Sequence, residues 1–501
     1  MRETRLSSDS PLALEPERFR VLGHQMVDRL ADFLASLPER PVVPAGGPDE
    51  LRALLGGVDA PLPERGADPE RLLAEAATLL TEHSTFNAHP RFFGYITAGP
   101  APIGILGDFL ASAINPNCGG WTLSPMASEI EGQAVRWIAE LIDYPRQCGG
   151  LLVSGGNMAN FTCFLAARTA IAGAAVRAAG LTGAAIPRFA VYVSGETHTW
   201  IQKAADLFGL GTDAVRWIPT DAELRMDVSA LRRAMADDAA AGWKPLLVVG
   251  TAGSVSTGAV DPLREIEAAC REHGAWFHID GAYGAFAAAV PDAAPELAHL
   301  ALADSVAVDP HKWLYAPLEA GCALVRDAEA LRGAFSYHPA YYHFGQEATN
   351  YVDFGPQNSR GFRALKVWLA LRQAGREGYA QSIGDDIALA RRLHEKVAAH
   401  PELEPATLGL SISTFRYVPE ALRAHVGGAS AEEALNTLNE ALLDRLQKAG
   451  EAFVSNAVVD GRYLLRACIV NFNTTTADVD ALPDIVARTG REVAGELEVS
   501  A

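Results

Sequence analysis

Lys312 and Asp280 are the two residues of this chain whose types and placement could together do chemistry on an aldehyde and a ring. Lys312 closes the run Ser305-Val-Ala-Val-Asp-Pro-His-Lys312, and Asp280, 32 residues upstream, closes Ala275-Trp-Phe-His-Ile-Asp280. Both runs are short, apolar and β-branched or aromatic, the pattern of buried strands. An amine and a carboxylate would then stand at the ends of successive strands. Such an amine can condense with an aldehyde, and such a carboxylate can keep a pyridine nitrogen protonated so that the ring accepts electrons. Those are the two groups a pyridoxal phosphate site needs. Alone, neither is diagnostic, because a Lys beside a His is more often a solvated loop.

Positioning the pair takes a sheet, and the middle of the chain supplies the pattern for one. Strand-like runs occur at Leu151–Val153, Phe189–Val193, Leu246–Val249, Trp276–Ile279, Val306–Val308 and Cys322–Val325. Most are separated by helix-length segments such as Asp261–Gly274, with Asp before Pro at its start and Gly at its end. Continuous apolar strands alternating with helices predict a largely parallel sheet covered on both faces. Ligands bind beyond the carboxyl ends of such strands, so the residues after each strand are the site candidates.

After the first strand comes Ser154-Gly-Gly-Asn-Met-Ala-Asn160, whose Gly156 and Asn157 open a helix and expose backbone N–H groups to an anion. After the second, Ser194-Gly-Glu-Thr-His198 could lay an imidazole against a flat ring. After the third, Gly250-Thr-Ala-Gly-Ser-Val-Ser-Thr-Gly258 is rich in hydroxyls. Asp280 and Lys312 follow the fourth and fifth. A Gly-Gly turn or a lone His is commonly structural. Five consecutive strands ending on groups suited to phosphate, ring or aldehyde make coincidence the weaker account.

The flanks read differently. Phe19, Leu22, Met26, Leu30, Phe33 and Leu37 recur at helical intervals and form one apolar stripe. Pro38 to about Arg71 carries several Pro and Gly residues and is expected to be an extended connector. Such an arm either packs on a partner subunit or folds back on its own domain. Phe362 to Leu371 is expected to be a helix leaving the large domain, and residues from about 385 a smaller α/β domain containing Tyr463–Arg466 and Cys468–Val470.

Composition limits the class. At 501 residues, 49% hydrophobic and 21% charged, the chain has room for two or three globular domains. A net charge of −19 argues against a nucleic-acid surface. Six scattered cysteines without CxxC spacing suit a reducing compartment. Neither a signal-like apolar stretch nor a run approaching the ~20 apolar residues of a membrane span is present. A soluble, cytoplasmic protein is expected. With no His/Cys/Asp cluster at metal-ligand spacing, no metal is expected.

The order SGGNMAN, SGETHTW, HIDGAYG and DPHKW resembles the pyridoxal-phosphate-dependent group II amino-acid decarboxylases, the aromatic-L-amino-acid decarboxylases in particular. The resemblance runs from Glu17 to Arg466 and is strongest between His89 and Lys366. It implies the aspartate-aminotransferase-like fold (PLP-dependent transferase fold type I): an N-terminal helical arm over 1–85 that wraps the partner of a homodimer, a large pyridoxal-phosphate-binding domain over 86–384, and a small C-terminal domain over 385–501. Active sites would lie at the subunit boundary.

Residue by residue, the resemblance makes Lys312 the Schiff-base lysine, with His311 near the phosphate. Asp280 would pair with the pyridinium nitrogen. Ala282 would pack one ring face, while His198 stacks on the other near the substrate carboxylate. Gly156 and Asn157 would contact the phosphate. In the family a tyrosine on a mobile loop protonates Cα after carbon dioxide leaves, and aligning Phe335-Ser-Tyr-His-Pro-Ala-Tyr341-Tyr342 on His-Pro gives Tyr341. Relatives with Phe there tend to be oxidative aldehyde synthases, so Tyr341 favours decarboxylation to the amine; a loop aromatic that merely closes the site is the plainer alternative.

Departures fall mainly on the substrate side. Asn157 stands where Ser or Thr is usual, and Val255 where many relatives have Thr beside the cofactor. Tyr95 matches a pocket aromatic, but Ile96 and Thr97 replace Phe-Pro. Gly119 falls near the place of an aromatic that lines the partner's substrate. Ser359 occupies a position that in plant relatives tends to carry Ser with phenolic and Gly with indolic substrates, which tilts the expectation to tyrosine or dihydroxyphenylalanine. Arg466 is either a carboxylate contact or a surface charge. The alternatives to decarboxylating an aromatic L-amino acid are another pyridoxal phosphate reaction or substrate (aldehyde formation, an aliphatic or acidic amino acid, lyase or transaminase chemistry) or a non-catalytic relative.

Overall fold

The structure, a computed structural model, describes residues 10–44, 46–181, 186–337 and 348–497. Its centre is a seven-stranded sheet of β1 (Gly149–Val153), β2 (Arg188–Ser194), β3 (Val215–Ile218), β4 (Trp243–Thr251), β5 (Trp276–Asp280), β6 (Ser305–Val308) and β7 (Gly321–Val325), in the order β1-β7-β6-β5-β4-β2-β3. From β3 to β6 all neighbours are parallel, while β7 runs antiparallel to both β6 and β1. β1 therefore points the same way as β6, and the ends of β1, β2, β4, β5 and β6 open on one side.

Side chains alternate across this sheet as the two-residue period of a strand requires. Leu151, Val153, Val191, Val193, Leu247 and Val249 pack with the helices Gly156–Ala172 and Trp200–Leu207. Leu152, Tyr192, Val248, Phe277 and Ile279 pack on the other face with Pro125–Leu141 and Leu263–His273. The sheet is thus the middle layer of three, and its strands are apolar on both sides for that reason.

Six of the seven strands lie on the runs read from sequence, and β3 was not foreseen. Val-Arg-Trp-Ile pairs only with β2, and Trp217 remains 45% exposed, so as an edge strand it lacks the doubly apolar signature. The helix expected from Phe362 is the first part of a longer one, Ala364–Ala399, broken in direction at Gly375 (φ 66°, ψ 179°). That helix leads into an antiparallel sheet of β8 (Leu403–Gly409), β9 (Ile412–Tyr417), β10 (Ser455–Val459) and β11 (Arg462–Cys468), ordered β10-β11-β9-β8 and backed by Ala429–Ala449 and Thr476–Glu496.

At the N-terminal end the helix Pro16–Ser36 buries only Leu22 and leaves Phe19 and Leu30 exposed. Pro69–His83 buries nothing, and it is held to the first helix by Arg18 and Glu70 at 2.8 Å. The stretch expected to be an extended connector contains the helix Pro48–Leu54, because Gly47 and Glu50 form its start and Pro48 occupies the first helical position, where its missing N–H costs nothing. Pro102–Ile114 turns Gly104 and Gly107 onto Pro317 and Lys366 and leaves Leu106, Phe109, Leu110 and Ile114 exposed. Large apolar side chains are thus left in solvent on three helices. Among the described residues, no helix is long and apolar enough to cross a membrane.

Candidate active site

The turn after β1 is built from glycines because side chains have no room there. Gly155 adopts φ 110°, and its backbone lies against Gly321 at the start of β7, where an added Cβ would come within 2.5 Å of it. A Cβ on Gly156 would sit 2.6 Å from Asp309 Oδ2. The helix Gly156–Ala172 starts without a side-chain cap, so its first N–H groups, including that of Asn157, are free for an anion.

Asp280 ends β5 and is 8% exposed. Its Oδ2 accepts a hydrogen bond from Trp200 Nε1 at 2.7 Å, and its Oδ1 accepts one from the Ala282 amide at 3.2 Å. Two residues earlier on the same strand face, buried His278 bonds Ser305 Oγ through Nδ1 (2.8 Å) and Asn160 Oδ1 through Nε2 (2.7 Å). Burial pushes the His278 imidazole down to about 4, so it is neutral near pH 7.

Lys312 follows β6 in the short helical turn Pro310–Trp313, and its Nζ lies 3.1 Å from Asp309 Oδ2. His311 is anchored through Nδ1 to the Ala320 carbonyl at 2.7 Å. Its Nε2 stands 3.8 Å from Asp309 Oδ2. Burial lowers the proton affinity of both His311 and His198, against the opposing pull of nearby Asp309 and Asp280 respectively. The next residue, Trp313, and Tyr315 donate to the single carboxylate oxygen Asp386 Oδ2, each at 2.8 Å, tying the lysine turn to the long helix.

One cavity of about 450 Å³ collects Ile96, Gly156, Asn157, His198, Asp280, Ala282, His311 and Lys312. Every residue expected from sequence to touch the cofactor thus lines one space. The substrate set divides: Ile96 is in the lining, whereas Tyr95 and Ser359 are exposed outside it. Tyr95 is turned away by its backbone, with φ 51° and its carbonyl held by Arg466 Nη1 at 2.9 Å. Arg466 is buried rather than a surface charge, with Nε and Nη2 lacking partners among the described residues. Gly119 packs against the Asn358 carbonyl, where a Cβ would approach to 2.0 Å, so a side chain is excluded at that position. Tyr341 lies outside the described residues.

Sequence reasoning assigned no role to Glu196, Thr251, Asp309, Asn160 or Trp200, although four of them line the cavity and Trp200 supports it from beneath. Burial raises the Glu196 carboxyl above its usual range. Asn160 and Trp200 stood inside motifs already singled out, SGGNMAN and SGETHTW, and their offset into the following helix was the available signal.

The expected pyridoxal phosphate fits these residues. The uncapped helix start suits the phosphate, Lys312 the aldehyde, Asp280 the ring nitrogen, and His198 and Ala282 the ring faces. Glu196 Oε2, Thr251 Oγ1 and Asp309 Oδ1, all on lining residues, are buried without a hydrogen-bond partner among the described residues, as expected of a wall built for polar contents.

Comparison with known proteins agrees with this construction. The model of the pyridoxal-dependent decarboxylase conserved domain matches residues 48–417. The chain is similar to an aromatic-L-amino-acid decarboxylase of Bacillus atrophaeus, 32% identical with 93% of this chain and 94% of the relative covered. It is also similar to a phenylacetaldehyde synthase of Petunia hybrida, 31% identical with 91% of each covered. Among solved structures, that of Oryza sativa TDC with PLP and tryptamine superposes with a TM-score of 0.88 at 30% identity, covering 97% of this chain and 99% of that one.

Proposed function

The chain belongs to the pyridoxal-dependent decarboxylase family and is a pyridoxal-phosphate-dependent amino-acid decarboxylase; from that premise we propose that it converts an aromatic L-amino acid, tyrosine or dihydroxyphenylalanine before tryptophan, to its amine and carbon dioxide. The observation that carries this reading is the cavity lining, which sets the apolar side chains of Ile96, Val255 and Leu318 beside Asp280, His198 and Lys312.

Pyridoxal phosphate, when bound, supplies an aldehyde for amines and a protonated ring that draws off the electron pair released with carbon dioxide. The chain does the rest. Gly156 and Asn157 offer N–H groups to the phosphate, so the ring's distance from Lys312 is set by the glycine turn. Asp280 would set its carboxylate against the ring nitrogen. His198, whose proton affinity is lowered mainly by desolvation, would present its flat face to the ring. Asp309 Oδ2, 3.1 Å from Lys312 Nζ, would hold the lysine amine in place beside the cofactor. Tyr341 holds the proton that its phenol delivers to the substrate Cα.

Assembly is part of the proposal. The exposed apolar faces of Pro16–Ser36, Pro69–His83 and Pro102–Ile114 support a homodimer in which residues 1–85 wrap the partner, 86–384 bind the cofactor and 385–501 form the small domain. Tyr95 and Ser359 would then complete the substrate wall at the subunit boundary. Six unpaired cysteines, five of them buried, suit a reducing cytoplasm.

The test is product analysis by mass spectrometry with tyrosine, dihydroxyphenylalanine, tryptophan, 5-hydroxytryptophan, phenylalanine, glutamate and 2,4-diaminobutyrate. Amine from the aromatic members supports the reading; amine only from the others overturns the substrate class. The likeness to an aldehyde synthase keeps one rival reading in view, and aldehyde with peroxide as the main products would establish it.

A further inference from the structure

We infer that Trp200 is a positioning residue for the cofactor: its indole N–H holds the Asp280 carboxylate charged and oriented toward the ring nitrogen. The inference rests on the reading that Asp280 meets that nitrogen. Trp200 is fully buried at the start of the helix Trp200–Leu207 and reaches 80 residues along the chain to donate Nε1–H to Asp280 Oδ2 at 2.7 Å. A Leu or Phe could have filled much of this space, whereas the one polar atom of the indole is spent on this carboxylate.

Both oxygens of Asp280 are engaged, Oδ1 by the Ala282 amide, so rotation of the carboxylate would break a bond at each end. The indole is itself fixed. Its ring meets His278 edge to face, 5.7 Å between centroids at 87°, and His278 is bonded at both nitrogens to Asn160 and Ser305. Ser305 also receives the Trp276 indole N–H at 2.8 Å. Side chains from the Gly156–Ala172 helix, the Trp200 helix, β5 and β6 thus converge under one carboxylate.

The chemical consequence has a definite sign. Between a pyridine nitrogen and a carboxylate in a dry site, one proton is shared, and whichever base is the weaker leaves it on the other. A hydrogen bond donated to the carboxylate favours its charged form. With pyridoxal phosphate bound, Trp200 would therefore favour the proton on the ring, the form that accepts electrons. Without the N–H, the proton moves toward Asp280 and the neutral pair attracts less strongly.

The test measures cofactor affinity of the full-length protein, without turnover, using pyridoxal phosphate and its 1-deaza analogue, in which C–H replaces the ring nitrogen. Fluorescence titration of wild type should show tighter binding of pyridoxal phosphate than of the analogue. Trp200→Phe should weaken pyridoxal phosphate about tenfold or more, the size of a lost hydrogen bond to a charged group, and the analogue less than about threefold, because the void beneath Asp280 affects both alike. Replacing the indole by a benzothiophene of the same outline, which removes the donor without a void, should reproduce that selective loss and protects the test should the Phe variant fold poorly. Equal losses for both cofactors would overturn the role of Trp200. Equal binding of both by wild type would instead overturn the pairing of Asp280 with the nitrogen, and with it this inference.

Discussion

The floor and the rim of the active site are made by opposite means. The floor consists of residues at or just after the ends of parallel strands, each held by a polar contact: Asp280 by buried hydrogen bonds from Trp200 and Ala282, Lys312 by an ion pair with Asp309, His311 by a hydrogen bond with Ala320. The rim comes from loops, with Val255 after β4 and Leu318 between β6 and β7 both exposed in the lining, and with Tyr95 and Ser359 exposed outside it. A charged group that must face a ring within a hydrogen bond's tolerance needs such support. An apolar wall needs only shape. On the proposed function, the floor would carry the reaction and the rim the choice of substrate.

The largest expected effect is at the floor. Lys312→Ala should abolish amine production and should stop borohydride from fixing the cofactor to the chain; covalent attachment that survives would place the reactive amine elsewhere. Next comes the buried ion pair beneath the turn after β1. Arg360 donates to both oxygens of Glu131, to the Leu152 carbonyl and to the Cys118 carbonyl, with both charged groups about 1% exposed. Arg360→Met leaves Glu131 charged and unpaired, and urea unfolding should show a loss of about 3–5 kcal/mol. A loss comparable to that of a surface substitution would mean that the strand end is not pinned from below.

A smaller effect should follow pH. Folded His278 has a proton affinity depressed to about 4, against an ordinary value near 6.5 when unfolded. Between those values the unfolded chain binds the extra proton, so His278 contributes stability above about pH 6.5 that is lost as pH falls toward 4. Thermal unfolding of wild type minus His278→Gln should show this difference, sloping by up to about 1.4 kcal/mol per pH unit. No slope in the difference would mean that His278 is solvated. The smallest effect belongs to the rim. Ser359→Gly should change stability by less than about 0.5 kcal/mol while moving the tyrosine-to-tryptophan preference severalfold in kcat/KM. A collapse of activity on every substrate would make Ser359 part of the floor.

The same division explains what could be read from the sequence. Floor residues follow apolar runs at fixed offsets, so strand, turn and reactive group are legible together, as with β5 and Asp280 or β6 and Lys312. The supports beneath them were not, because Trp200, His278, Asn160 and Ser305 come from separate elements and meet only when the sheet forms. The placement of the rim residues was hidden for another reason. Tyr95 has the right type for a pocket aromatic, but a left-handed backbone and the buried Arg466 decide where it points. Neither is visible in a string of letters. β3 was missed because an edge strand has no need of apolar residues on both faces, and the helix Pro48–Leu54 because its prolines and glycines sit at its boundary rather than within it.

The position of β1 has a consequence in time. It is the first strand of the sheet to leave the ribosome, yet it lies at the sheet's edge beside β7, the last, and its glycine turn is closed by Gly321. At a synthesis rate of about 5–20 residues per second, roughly 10–30 s separate the two strands. During that interval the phosphate cradle has one wall. A nascent chain halted before β7 should therefore retain no cofactor, however complete the rest of its sheet, and capture of the cofactor would serve as a clock for the closing of the fold.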